Sequence, residues 1–242
     1  PEFLREGSAV ADFLKPDRVV VGSDDQAAAM KVASLYDGLS TRVIITDPAS
    51  AETIKYAANA FLATKLSFIN AIAAICEGVG ADINDVVVGM GSDKRIGENF
   101  LRPGPGWGGS CFPKDSRALI KIAEDADYSF DLLKGVITVN DQQLDRVADK
   151  IRIAAGGSLS NKIVAVWGLT FKAGTDDLRD SPAIAIIERL MKFGARVQAF
   201  DPTVTDIRTG IPNDLVIASS STEATAKADV LAVLTEWDEF KW

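Results

Sequence analysis

Residues 162–200 read KIVAVWGLTFKAGTDDLRDSPAIAIIERLMKFGARVQAF, and their pattern decides the fold. KIVAVWG (162–168) is a strand-type apolar run, SPAIAIIERLMKFG (181–194) has helical spacing, and ARVQAF (195–200) is strand-type again. Further strands are predicted at LVIA (215–218) and DVLAVL (229–234). Parallel strands joined by crossover helices make a Rossmann-like half-domain. The polar loop FKAGTDDLR (171–179) follows the first strand. Open parallel sheets bind ligands at that end, and Lys172 and Arg179 there can meet phosphates. Asp201 ends the next strand, where a ribose-binding acid would stand. With no GxGxxG in the loop, a turn formed with Pro202 is the favoured reading.

Gly156-Gly157-Ser158 reads as a linker in front of this domain. Before it, helices are predicted near 131–154, from Pro113 to about Ala126, and near 82–90. A much longer one covers 50–78, within ASAETIKYAANAFLATKLSFINAIAAICEGVG (49–80). A helix of roughly 27 residues spans about 40 Å. Its apolar residues cover more than one face, so it wants partners on several sides, a second subunit included. RVVVG (18–22) and RVIIT (42–46) are strand-type runs flanking a helix, with Asp24 or Asp25 as N-cap and Gly38 as stop. Two parallel strands alone make no stable sheet. Residues 1–48 are therefore expected to be the tail of an α/β domain. The predicted class is α/β: a Rossmann tail (1–48), a central all-helical region with one long helix (49–155), and a C-terminal Rossmann-like parallel sheet domain (156–242).

The chain has 242 residues and no histidine. That excludes Ser-His-Asp catalysis, a histidine base and every histidine-containing metal site, and no metal site is expected. Proton chemistry falls to Asp, Glu, Lys, Tyr or Cys. A net charge of −8 argues against a duplex nucleic-acid binder. The two cysteines, Cys76 and Cys111, lack CxxC spacing, and a reducing, cytoplasmic setting is the simpler expectation. No run of 18 apolar residues suggests a membrane span.

GxGxxG occurs at 104–109 (GPGWGG), but no strand precedes it, so it is not the dinucleotide fingerprint. Its glycines let backbone approach a ligand closely. Cys111 follows in GGSCFPKD, with Pro113 suited to a first helical turn. Backbone N–H groups there and the neighbouring Lys114 favour thiolate over thiol. Asp115 is about one turn on, within reach of a bound water. A cysteine and a carboxylate so placed suit covalent catalysis through a thioester. Cys76, inside the apolar helix, reads as packing. Lys55 and Asn59 are i and i+4 on the long helix, two donors able to stabilise an oxyanion. Glu2 and Glu6 share that spacing and alone read as a charged turn.

PEFLREGSAVADF, IKYAANAFLATKLSFINAIAAICE, GPGWGGSCFPKD and GLTFKAGTDDLRDSP, in this order, resemble the signature blocks of the nucleotide-sugar dehydrogenases of the UDP-glucose/GDP-mannose dehydrogenase family. The resemblance covers essentially the whole chain. It implies an NAD-dependent two-step oxidation of a sugar C6 alcohol to a carboxylate, leaning to UDP-glucose and UDP-glucuronate. GDP-mannose or a UDP-N-acetylhexosamine is the alternative substrate, and a non-catalytic, dimerising, nucleotide-sugar-binding fragment the alternative class. By resemblance, Cys111 is the nucleophile, Asp115 positions water, Glu2 is the general base of hydrolysis, and Lys55 and Asn59 steady the charged oxygen. Phe3, Leu4, Arg102, Gly106, Phe171 and Lys172 are implied to contact the nucleotide sugar, and Arg95 that of a neighbouring subunit. Glu6, Lys114 and Arg179 are implied NAD contacts, with the NAD site incomplete in this chain. The long helix is implied to be the core of a homodimer. Trp107 stands where the family often has Phe.

Overall fold

The computed structural model describes residues 1–241; Trp242, the last residue of the range expected for the C-terminal domain, lies outside them. Contacts divide the chain into two compact units, the first Pro1–Phe61 and the second beginning at Leu62.

In the first unit β1 (Arg18–Gly22) and β2 (Arg42–Thr46) pair in parallel, Arg18 opposite Arg42. Between them runs α2 (Gln26–Ala33). Asp25 is its cap, accepting from the N–H groups of Ala27 and Ala28. Val19, Val21 and Ala29 form the small core. A short helix that no periodicity announces, α1 (Ala9–Leu14), has no buried residue. It is organised by Asp12, whose carboxylate accepts from the Arg5 N–H (2.8 Å), the Arg5 guanidinium (2.5 Å) and the Ser8 hydroxyl (3.1 Å). Glu2 and Glu6 precede this helix, so their spacing does not put them on one helical face.

The Arg5 side chain, then the Arg5 N–H, hold the Asp12 carboxyl well below the usual carboxylate range. A carboxylate lowered on folding stabilises above its unfolded pKa, and that contribution is lost as pH falls through the folded value. Asp12→Asn should therefore free the 1–8 segment at neutral pH as strong acid frees it in the parent. Cleavage in that segment under limited proteolysis reads this; a variant as resistant as the parent at pH 7 would contradict it.

α3 (Pro48–Val79) is 32 residues long, about 48 Å at 1.5 Å per residue and longer than the sequence suggests. Asp47 extends its start by accepting from the Ser50 N–H at 2.8 Å, and Pro48 occupies the first turn at no hydrogen-bond cost. At its far end Gly80 adopts φ 74° and the Ala81 N–H returns to the Cys76 carbonyl, a left-handed cap. By length and composition α3 could cross a bilayer, but polar Lys65, Ser67, Asn70 and Glu77 punctuate it.

The second unit continues through α4 (Ile83–Gly91), α5 (Phe112–Asp125) and α6 (Asp131–Ala154). Glu77 of α3 pairs with Arg146 and Lys150 of α6; Lys150, then Arg146, draw its carboxyl below the ordinary value. A four-stranded parallel sheet follows in the order β5 (Val216–Ile217), β4 (Arg196–Phe200), β3 (Ile163–Trp167), β6 (Val230–Val233). β5, an edge strand, keeps two of the four residues read for it. α7 (Pro182–Lys192) and α8 (Ser221–Ala224) complete the unit. Val164 and Val166 of β3 pack with Ile186, Ile187 and Leu190 of α7, and Leu144, Ala148 and Ile151 join them from α6. The last helix of the central region thus shares the core of the sheet domain.

Candidate active site

The chain order of the sheet reverses beside β3, whose neighbours are β4 on one side and β6 on the other. Such a reversal opens a crevice at the carboxyl ends of the strands. Here the ends touch. A Cβ on Gly168 (φ 91°) would lie 2.5 Å from the Thr235 nitrogen, so only glycine lets the chain after β3 pass so close to the chain after β6. The Thr235 hydroxyl donates to the Thr170 carbonyl at 2.6 Å. Asp201, 1% exposed, anchors the same crossing. Its Oδ2 accepts from the N–H groups of Leu169 (2.8 Å) and Thr170 (3.3 Å) and from the Trp237 indole (3.1 Å). Its Oδ1 accepts from the Thr203 N–H (2.9 Å) and hydroxyl (2.8 Å). Asp201 is therefore a turn former, not a ribose ligand. Phe171 and Lys172 leave this crossing, with the ammonium 5.5 Å from the ring centre. Arg102 reaches it by pairing with Glu236 at 2.5 Å.

The loop 103–110 is joined to the same place. The Gly109 N–H donates to the Arg179 carbonyl at 3.0 Å. A Cβ on Gly108 would sit 1.8 Å from the Asp180 carbonyl oxygen, and one on Gly109 would sit 2.8 Å from the Phe171 ring. The GPGWGG stretch is thus a loop, as its context in the sequence predicts; Gly108 is required where backbone crosses backbone, and Gly109 where the Phe171 ring packs. Cys111 follows at the N-cap of α5, half-buried, with Pro113 in the first turn. Its carbonyl accepts the Asp115 N–H at 2.8 Å, and its sulfur lies 3.6 Å from the Ser110 hydroxyl. Asp115 is 2% exposed and paired with Lys114 at 2.9 Å, so the carboxylate is far more enclosed than its spacing alone suggests. Arg179 grips Asp177 through two nitrogens, at 2.9 and 2.8 Å. Cys111, Asp115, Lys114, Gly106, Phe171, Lys172, Arg179 and Arg102 all belong to this second unit. So does Arg95, held instead by Asp93 at 2.6 Å on an exposed turn.

Glu2, Phe3, Leu4, Glu6, Lys55 and Asn59 belong to the first unit. The Lys55 ammonium donates to the Glu2 carbonyl (2.6 Å) and carboxylate (3.2 Å), whose other oxygen accepts the Leu4 N–H (2.6 Å). The Arg18 guanidinium sits 3.6 Å from the Phe3 ring centre, and the Lys55 ammonium 5.5 Å from it. Asn59, one turn beyond Lys55, is buried. At the α2 N-terminus a dinucleotide phosphate does not fit. The turn after β1 reads Gly22-Ser23-Asp24-Asp25, and the Asp25 carboxylate occupies the α2 N-terminus, where a phosphate would need bare N–H groups. Among the described residues no cluster could hold a metal ion.

Four residues that sequence reasoning passed over fix the loop. Asn70 accepts the Gly104 N–H (2.9 Å) and Gln143 donates to its carbonyl (2.8 Å). Ser67 accepts the Trp107 indole N–H (2.8 Å), and Asn140 bonds the Trp107 backbone. One signal was available: the buried face of α6 runs Leu133, Val136, Asn140, Leu144, Ala148, Ile151, with an amide in an apolar row.

Known proteins are similar to this chain along its whole length. Family models of the UDP-glucose/GDP-mannose dehydrogenase family match residues 1–40 (NAD binding domain), 49–142 (central domain) and 165–242 (UDP binding domain). The UDP-glucose 6-dehydrogenase of Rhizobium meliloti (strain 1021) is 47% identical over 100% of this chain and 56% of its own length. UDP-glucose 6-dehydrogenase YwqF of Bacillus subtilis (strain 168) is 47% identical over 100% of this chain and 55% of its own. A solved UDP-glucose dehydrogenase from the hyperthermophilic archaeon Pyrobaculum islandicum superposes with a TM-score of 0.93 at 36% identity, covering 99% of this chain and 56% of that one. The chain thus spans about half the length of the relatives it matches. With models of all three family domains matched in order and the fold shared, the chain belongs to the UDP-glucose/GDP-mannose dehydrogenase family.

Proposed function

We propose that this chain carries the substrate-oxidising part of an NAD-dependent dehydrogenase that converts UDP-glucose to UDP-glucuronate. The observation that carries the reading is Cys111 at a helix N-cap, in a loop locked against the switch-point loop that bears Phe171 and Lys172. A nucleotide bound at the sheet crevice would extend its sugar towards that thiol. Arg102 and Lys172 suit the diphosphate, and Gly106 and Phe171 the sugar end.

NAD, when bound, accepts the hydride in each oxidation. The residues of this chain do the rest. Loss of the hydroxyl proton and of a hydride from C6 leaves an aldehyde, and the Cys111 thiolate adds to it, with uptake of a proton, to give a thiohemiacetal. A second loss of a proton and a hydride gives a thioester. Water then cleaves it to the carboxylate and returns the thiol, with Glu2 as base and Asp115 placing the water. Lys55 and Asn59 supply the donors for the charged oxygen. Because Asp25 already caps the α2 N-terminus, NAD binding is proposed for the whole protein, where Glu6, Lys114 and Arg179 contribute contacts. The arrangement into domains at 1–48, 49–155 and 156–242 belongs to the same proposal, as does a reducing, cytoplasmic setting, which suits two unpaired thiols.

A homodimer through α3 is part of this reading. Phe61, Phe68 and Ile75, seven residues apart on that helix, are 65%, 50% and 58% exposed, and so continuous an apolar stripe suits a second copy. Sedimentation should give a dimer. For the reaction, the chain joined behind a complete NAD-binding domain should release two NADH per UDP-glucose. Calorimetry on the 242 residues should show UDP-glucose binding ahead of GDP-mannose. Preference for GDP-mannose, or no binding of either, would overturn the assignment.

A further inference from the structure

The loop that delivers Cys111 is rich in glycines that do not hold their own backbone shape. In GPGWGG (104–109), Gly106 and Gly109 adopt φ of 139° and 81°, and glycines at such angles are swivels that fix nothing. Trp107 lies between them, its indole held by Ser67 and its backbone by Asn140. The Asn140 carboxamide accepts the Trp107 N–H at 2.8 Å and donates to the Trp107 carbonyl at 3.0 Å, in a buried setting. A reciprocal pair of bonds to one residue clamps the peptide planes on both sides of it. Of the twenty side chains only asparagine and glutamine present an acceptor and a donor side by side in this way. Gly106 adapts to the clamp: a Cβ there would lie 3.1 Å from the Asn140 oxygen.

We propose that Asn140 is a positioning residue for the thiol: by clamping Trp107 it sets where Cys111 stands relative to a bound nucleotide sugar. The proposal rests on the nucleotide-sugar reading above for its ligand, though not for the clamp. Asn140 is absent from the residues that touch the reacting atoms in that reading; it acts through the backbone of the loop.

The test uses the 242-residue chain, iodoacetamide as thiol probe, and UDP and UDP-glucose as ligands, with modified peptides quantified by mass spectrometry. Asn140→Asp keeps the shape and one acceptor but puts an oxygen against the Trp107 carbonyl. Asn140→Ser removes both bonds and leaves room for a water, and covers the case in which the aspartate variant does not fold. Each should alkylate at Cys111 at least about fivefold faster than the parent, while Cys76, 5% exposed inside α3, stays unreactive as the internal gauge of global loosening. UDP should bind within about twofold of the parent, and protection of Cys111 by UDP-glucose relative to UDP should fall by about tenfold. Parental alkylation at Cys111, or a parallel rise at Cys76, would reduce Asn140 to a packing residue and overturn the proposal. If UDP-glucose fails to protect Cys111 even in the parent, the nucleotide-sugar reading falls. The alkylation rates still decide the clamp in that event.

Discussion

Cys111→Ser, in the chain joined to a complete NAD-binding domain, should lower release of UDP-glucuronate by about a thousandfold or more. The exchange keeps size and rotamer at the α5 N-cap, so folding should be untouched. What changes is the attacking atom. A serine hydroxyl ionises far above neutral pH and has no imidazole to assist it, whereas a thiol is partly ionised at neutral pH without help. The chain contains no histidine at all, so no neighbouring imidazole can rescue the hydroxyl. Aldehyde addition should stall and the covalent adduct should vanish from the mass spectrum, while UDP-glucose affinity stays near that of the parent. Turnover equal to the parent's would remove Cys111 from the mechanism.

A comparably large effect, on stability, is expected at Asp201. Its carboxylate is 1% exposed and accepts from Leu169, Thr170, Thr203 and Trp237. Asp201→Ala leaves those donors buried without an acceptor, and a buried unsatisfied donor costs about 1–3 kcal/mol. Partial relaxation and water entry reduce the total to about 3–5 kcal/mol, which for a chain of this size lowers the melting temperature by about 10–15 °C. Differential scanning calorimetry of parent and variant reads the shift directly. A loss under about 1 kcal/mol would mean that the crossing is held by packing and not by the carboxylate.

The long elements were legible because their signals are periodic. α6 was predicted near 131–154 and spans Asp131–Ala154, since its buried row, Asn140 included, keeps one helical phase and Gly156 stops it. The strands of both sheets followed from β-branched runs, although β5 shrank because an edge strand has one neighbour to extend it. α1 left no trace in periodicity, as it is held by Asp12 and Arg5 and not by an apolar face. Around the thiol, the local motif GGSCFPKD was readable, and the turn role of Asp201 was readable from its proline. What joins Cys111 to the sheet was not. Asn70 and Gln143 look like solvent-facing amides in sequence, and the partner of each is 34 and 39 residues away. Tertiary contacts of that range leave no periodic signature. Gly108 was visible as flexible, but that it must admit the Asp180 carbonyl could not be read without the fold.

That crossing also bears on how such a protein can be recombined. Gly156-Gly157 looks like the natural seam for exchanging nucleotide-binding domains between relatives. Yet Gly108 meets the Asp180 carbonyl and Gly109 the Phe171 ring with no room for a side chain, and these partners fall on opposite sides of the seam. A chimera cut at the linker would mate two surfaces shaped for other partners. The portable unit of specificity is discontinuous: the thiol loop has to travel with the sheet domain it is pressed against.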